Sequence, residues 1–234
     1  MSDTAKIVNE CIQSFLAEYM GSPILHLRES STQSQLRDLI QKKIEPKESF
    51  ATVKDANSKT ADTCGTGNVY RTQEEMKVGE IAKQRSDIIV FRSSNESDPI
   101  HLFREKNGAL DIIAKTRIED IEAVIEIKAA CSADKSQRQL FRKDLFKLLE
   151  ITPTNEKLSR HFVLIDKSVP TSNFKEIEKK PKPEWWLPEG DPQEQTLKME
   201  DNPPKNKPFV HVWWIAHNKE CEHAKVEQRY CIYA

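Results

Sequence analysis

Hydrophobic positions along this chain change period several times, and each change marks an element. Val8, Cys11, Ile12, Phe15 and Tyr19 recur at helical spacing, and Gly21, Ser22 and Pro23 follow as a stop signal. A second stripe, Leu36, Leu39, Ile40 and Ile44, predicts another helix, with Thr32 and Gln35 placed as a capping box at its start. Residues 45–68 are polar, carry Gly65 and Gly67, and are expected to form a loop. Strand signals then take over. "NVYRTQEEMKV" (68–78) and "SDIIVFR" (86–92) predict strands, the second with the four-residue apolar run Ile88 to Phe91. "IHLFREKNGALDIIAKT" (100–116) predicts a hairpin turning at Asn107-Gly108.

Residues 122–130, "EAVIEIKAA", form a further strand, and the apolar face Phe141, Leu145 and Leu148 predicts a helix after it, with Ser136 and Gln139 as its capping box. "HFVLID" (161–166) is again a strand. Strand, helix and strand in this order predict a βαβ crossover and hence an α/β core, a central mixed sheet flanked by helices. "FVHVWWIAH" (209–217) and "RYCIYA" (229–234) supply closing strands. Between them and the core, residues 170–208 hold eight of the twelve prolines, so an irregular proline-rich excursion is expected there. The expected organisation is a single domain over 1–234, with a core at about 29–166 plus strands 209–216 and 229–233.

Composition changes this picture little. Apolar residues make up 37% and charged residues 31%, with a mean hydropathy of −0.67, which fits a protein with extensive polar surface. No run approaches the eighteen apolar residues of a membrane span. The N-terminus lacks the pattern of a signal peptide, and five cysteines without a CxxC pair point to a reducing, cytoplasmic setting. With a net charge of −1 the whole chain is no polycation, so contact with nucleic acid must come from a local basic patch.

The chemistry concentrates in the strand at 122–130. Glu126 and Lys128 interrupt its apolar run, where ionised groups are costly unless paired or bound to a metal. Residues two apart on a strand share a face, so the two side chains project to one spot while Ile125 and Ile127 face the other way. A carboxylate that binds Mg²⁺ and an amine that orients water suit phosphodiester hydrolysis, given a second carboxylate. Asp87, at the head of "SDIIVF", is the favoured one because its strand is longer and more apolar. Asp111, fifteen residues before Glu126, is the rival.

This pattern, Asp87 leading one strand and Glu126-Ile127-Lys128 within a later apolar strand, resembles the PD-(D/E)XK nuclease superfamily over residues 84–166. Ser86 stands where the motif has proline, and residues 93–120 would be an insertion. The resemblance implies a restriction-endonuclease-like fold and a Mg²⁺-dependent nuclease acting on DNA, with Mn²⁺ able to substitute. Asp87 and Glu126 would bind the cation, and Lys128 would complete the catalytic set. It further implies a glutamate from the first core helix, Glu29 by position with Glu75 behind it. A restriction or other defence role follows from the same comparison, as a homodimer where the DNA site is palindromic. The other reading is a module that kept the fold and lost the chemistry.

On the helix after this strand, Lys135, Arg138 and Arg142 fall on one flank and Lys143 and Lys147 on the other, positioned to track phosphates. Lys147 is also the residue that the resemblance would place near the active site. Trp213 and Trp214 lie in a strand, so one is expected to face the core and the other not. Trp185 and Trp186 are expected to pin the proline-rich excursion. His211, His217, Cys221 and His223 match no common zinc spacing, and no P-loop, GxGxxG or GxSxG occurs.

Overall fold

The computed structural model describes residues 3–21, 29–44, 50–55, 66–78, 85–107, 111–130, 135–151, 158–166, 197–202, 207–217 and 225–233. Three α-helices are described, α1 (Asp3–Gly21), α2 (Glu29–Lys43) and α3 (Lys135–Glu150), with a 3-10 turn at Ile118–Asp120. The strands are β1 (Phe50–Asp55), β2 (Thr66–Tyr70), β3 (Thr72–Val78), β4 (Arg85–Phe91), β5 (Ile100–Asn107), β6 (Asp111–Thr116), β7 (Ile121–Ala130), β8 (Ser159–Asp166), β9 (Lys198–Glu200), β10 (Val210–His217) and β11 (Lys225–Tyr233). No helix among the described residues is long and apolar enough to cross a membrane. The fold is mixed α/β, with parallel and antiparallel strand pairs and a helix between strands β7 and β8.

The chain divides into two compact units. The first comprises Met1–Phe15, Gln33–Ile125 and Ile151–Ser159. Its strands run in the order β2-β1-β5-β6-β3-β4-β7. The expected hairpin is present, with β5 and β6 antiparallel from Leu102↔Thr116 to Asn107↔Asp111. Residues 45–68 are not simply a loop, because Phe50–Asp55 forms β1 and pairs with β2. Its alternation of inward Ala51 and Val53 with polar neighbours was too short to register as a period.

The run 68–78 is two strands rather than one. Arg71 breaks it, turning a 2%-exposed side chain inward. Its Nε donates to Phe91 O at 2.8 Å, and its Nη2 donates to Thr4 Oγ1 at 3.1 Å and Glu122 Oε2 at 2.8 Å. Phe91 N–H in turn donates to Arg71 O at 2.8 Å. One guanidinium thus ties α1, β4 and β7 together, with its charge paired by Glu122. β4 pairs antiparallel with β7 from Phe91↔Ile121 to Ile88↔Ile125, with a register shift at Val90/Phe91. Ile88, Ile89, Val90 and Phe91 are fully buried, as their continuous run required.

The second unit comprises Leu16–Thr32, Glu126–Glu150 and Arg160–Ala234. Its strands follow the order β7-β8-β10-β11-β9, and α3 joins β7 to its neighbour β8. β8 and β10 are parallel, with His161 opposite His211 and Asp166 opposite Ala216. β11 closes antiparallel on β10, and β9 adds to β11. Phe141, Leu145 and Leu148 of α3 are buried, and Phe141 meets Phe162 edge-on at 6.2 Å. Trp213 and Trp214 are both buried, against the expectation that only one would be. β10 lies between β8 and β11, and an interior strand can bury both of its faces. Within the proline-rich span, β9 is a described strand, and 170–196 and 203–206, with Trp185 and Trp186, lie outside the described residues.

Both capping boxes shift. α2 begins at Glu29, so Thr32 stands inside it, buried, and α3 begins at Lys135, one residue before Ser136. In α2 this places an acidic side chain in the first turn, where a helix N-terminus favours negative charge.

Candidate active site

The most apolar stretch of β7 carries the charged cluster. Ile125 and Ile127 are fully buried on one face, and Glu126 on the other is only 1% exposed. A carboxylate buried to that degree has to be compensated. Two amines do this. Lys147 Nζ, from α3, donates to Glu126 Oε1, and Lys128 Nζ lies 3.9 Å from Glu126 Oε2.

Lys128 is drawn to two further carboxylates. Glu29 Oε1, at the start of α2, lies 3.7 Å from its Nζ, and Asp144 Oδ2, on α3, also lies at 3.7 Å. Glu29 is held from the other side, its Oε2 accepting from the backbone N–H of Ala129 at 3.2 Å. Strand β7 and two helices therefore converge on one amine. Side-chain exposure grades outward, from 2% for Glu126 and 10% for Lys147 through 12% for Asp144 and 21% for Lys128 to 44% for Glu29. The geometry leaves Lys128 partly open to solvent above a dry carboxylate.

Of the residues singled out by sequence, Glu29, Glu126, Lys128 and Lys147 are brought together here. Asp87 is 8% exposed, at the head of β4, and its carbonyl accepts from Gln33 Nε2 at 2.7 Å. Arg142 is 8% exposed and its guanidinium lies 5.1 Å from the Phe146 ring centroid, against its own helix. The side chains of Lys135, Arg138, Glu75 and Asp111 lie outside those described, as do residues Cys221 and His223. Asp144 was not singled out for the site, although it lies one helical turn before Lys147 on α3. A carboxylate on the same helical face as a functional lysine was the available signal.

The oxygen donors of the cluster, Glu126, Glu29 and Asp144, are of the kind a hard divalent cation takes, although the groups against Glu126 itself are the ammoniums of Lys147 and Lys128. Among the described residues, no three His, Cys, Asp or Glu side chains are gathered as a ready-made cage. Mg²⁺ does not require one, since it commonly takes one or two carboxylates and completes its shell with water and substrate phosphate. Glu126 is the residue that would hold it.

No protein-family profile matches the chain, and no characterised protein sequence matches it. Among solved structures, it is similar to NucC of P. aeruginosa ATCC27853 in a cAAA-bound form, at 10% identity and a TM-score of 0.32, covering 98% of this chain and 84% of that one. NucC of E. coli MS115-1 matches in its cAAA-bound form at 10% identity and a TM-score of 0.31, over 98% of this chain and 84% of that one. The apo form of the same protein gives 12% identity and a TM-score of 0.32, over 92% and 83%.

Proposed function

We propose that the chain is a divalent-cation-dependent nuclease that hydrolyses DNA phosphodiester bonds. The observation that carries this reading is the buried Glu126 two residues before Lys128 on one face of β7, with Glu29 and Asp144 converging on the same lysine. Glu126 and Asp87 are assigned to the cation, Mg²⁺ or Mn²⁺, with Glu29 as a further oxygen donor. Asp87 enters from the sequence pattern that it heads. A bound hard cation would supply Lewis acidity toward the scissile phosphate.

Lys128 is assigned to the attacking water. Its three carboxylate neighbours, at 3.7, 3.7 and 3.9 Å, hold the ammonium in place on the Glu126 face of β7, and its side chain is 21% exposed, so water or a phosphate oxygen can approach it. Asp144 and Glu29 act through it as positioning residues. Lys135 and Arg138, on one flank of α3, are assigned to the DNA backbone, where phosphate contacts set register without reading sequence. A restriction or other defence role, as a homodimer, belongs to the same proposal.

A second reading has one observation in its favour. Both oxygens of Glu126 already face ammonium groups, which is also how a silent DNA-binding or assembly module would retire an old site. Incubation of plasmid and single-stranded DNA with Mg²⁺, Mn²⁺ or EDTA separates the two. Cleavage that needs the cation and is lost in Glu126→Gln supports the nuclease. DNA retention without cleavage under any divalent ion supports the silent module.

A further inference from the structure

The contact between Lys147 and Glu126 has a consequence for how a cation reaches the site. Lys147 donates to Oε1 of a carboxylate whose side chain is 2% exposed, while its own side chain is 10% exposed. Glu126 Oε2 is flanked by Lys128 at 3.9 Å. Oε1 is therefore not available to a metal without moving the Lys147 ammonium, and a metal on Oε2 would meet Lys128 beside it. Lys147 comes from α3 and Glu126 from β7, so the contact also joins a helix to the strand.

Resting on the nuclease reading, which places the cation on Glu126, we propose that Lys147 is a resident counter-ion. It neutralises Glu126 while the site is empty of metal, and a divalent cation must displace its ammonium to bind. Two positive groups compete for one carboxylate oxygen, and the lysine tail is the one with freedom to swing away. The buried acid then never stands uncompensated, and loading of the site is set against an internal competitor. Metal affinity is weaker than the carboxylate alone would give. DNA phosphate can favour loading from both sides, by completing the cation's shell and by receiving the released ammonium.

The test measures Mn²⁺ affinity directly, from the paramagnetic signal of the free ion, on the whole chain without DNA. Wild type, Lys147→Met and Glu126→Gln are compared, with thermal unfolding in EDTA and in Mn²⁺ alongside. Removing the competitor should tighten Mn²⁺ binding by at least about tenfold, on the scale of one buried charge pair, and Glu126→Gln should remove that binding. Lys147→Met should melt below wild type in EDTA and gain more from Mn²⁺ than wild type does. If the variant folds only when Mn²⁺ is present, that dependence is the same result in stronger form.

Mn²⁺ binding that is unchanged or weaker in Lys147→Met overturns the proposal, as does a failure of wild type and variant alike to bind the ion. The nuclease reading fails separately. A wild type that shows the competition yet leaves every DNA substrate intact removes catalysis and keeps the counter-ion. A wild type that cuts DNA while Lys147→Met binds Mn²⁺ like wild type removes the counter-ion and keeps catalysis.

Discussion

Lys128→Met is the substitution that separates catalytic from structural use of the cluster. Methionine keeps most of the apolar stem and removes the charge. The amine has three carboxylates at 3.7, 3.7 and 3.9 Å and a side chain 21% exposed. At an effective dielectric near 20, each such pair is worth roughly 4 kcal/mol before desolvation. Desolvation offsets most of that, and partly exposed pairs net about 0.2–1 kcal/mol each. Glu126 keeps Lys147, so no bare charge is left in the core. The expected loss of stability is therefore about 1–3 kcal/mol, read as a fall in the urea midpoint at constant m-value. Cleavage should fall far more, because a group that acts on the attacking water is felt in the transition state and not in DNA affinity. DNA retention in a gel should stay within about twofold of wild type. Cleavage at the wild-type rate by a folded Lys128→Met protein would refute the catalytic assignment. A stability loss below about 0.5 kcal/mol would refute the energetic part.

Two other predictions address the first unit. Arg71→Met should cost about 1–3 kcal/mol, since it takes the guanidinium donor from the Phe91 carbonyl and the charge partner from Glu122, which keeps Thr4 Oγ1 and some access to solvent; a urea midpoint close to wild type would show that the guanidinium is dispensable. Burial pushes the Cys11 thiol up to about 11, with nearby Lys43 opposing the shift. The thiolate is the reactive form, so folded Cys11 should resist disulfide-exchange reagents through neutral pH and gain reactivity only as pH nears 11, whereas an unfolded thiol half-ionises near about 8.5. Rapid labelling of Cys11 at pH 7.5 in folded protein, identified by comparison with Cys11→Ser, would contradict that burial.

Much of the fold was legible wherever one period ran long enough. The buried run Ile88 to Phe91, the helix carrying Phe141, Leu145 and Leu148, and the antiparallel pairing of 102–107 with 111–116 all appear where the pattern put them, while the turn expected at Asn107-Gly108 falls partly outside the described residues. Short edge elements were not legible. β1 and β2 take their order from pairing with each other and with β5, which no local window contains. Arg71 hid a strand break, because an arginine in a polar run gives no sign that it will turn inward. The site divided along the same line. Glu126 and Lys128 stood out because charge inside an apolar strand is expensive, and Glu29 and Lys147 followed from their position in the pattern. Asp144 looked like an ordinary helix-surface acid until the packing of α3 brought it to Lys128.

The charge arithmetic of the cluster bears on why it exists. Glu29, Glu126 and Asp144 bring three negative charges, and Lys128 and Lys147 bring two positive ones. Glu29 is 44% exposed, so the inner members Glu126, Asp144, Lys128 and Lys147 balance, and a well-packed apolar replacement for such a balanced group is often equal or better. β7 has no need of charge to hold its place, since Ala123, Val124, Ile125 and Ile127 around Glu126 are fully buried. The quadruple variant Glu126→Leu, Lys128→Met, Lys147→Met, Asp144→Asn removes two negative and two positive charges and leaves Glu29, 44% exposed, with its own access to solvent. It should fold with a stability within about 2 kcal/mol of wild type, because desolvation costs disappear along with the pairs. It should bind no Mn²⁺ at the site and cut no DNA. Loss of more than about 4 kcal/mol would mean that the pairs hold β7 and α3 together, and the cluster would then be structural in origin. Retained stability with lost cation binding would leave function as the reason a charge cluster sits in the driest part of this strand.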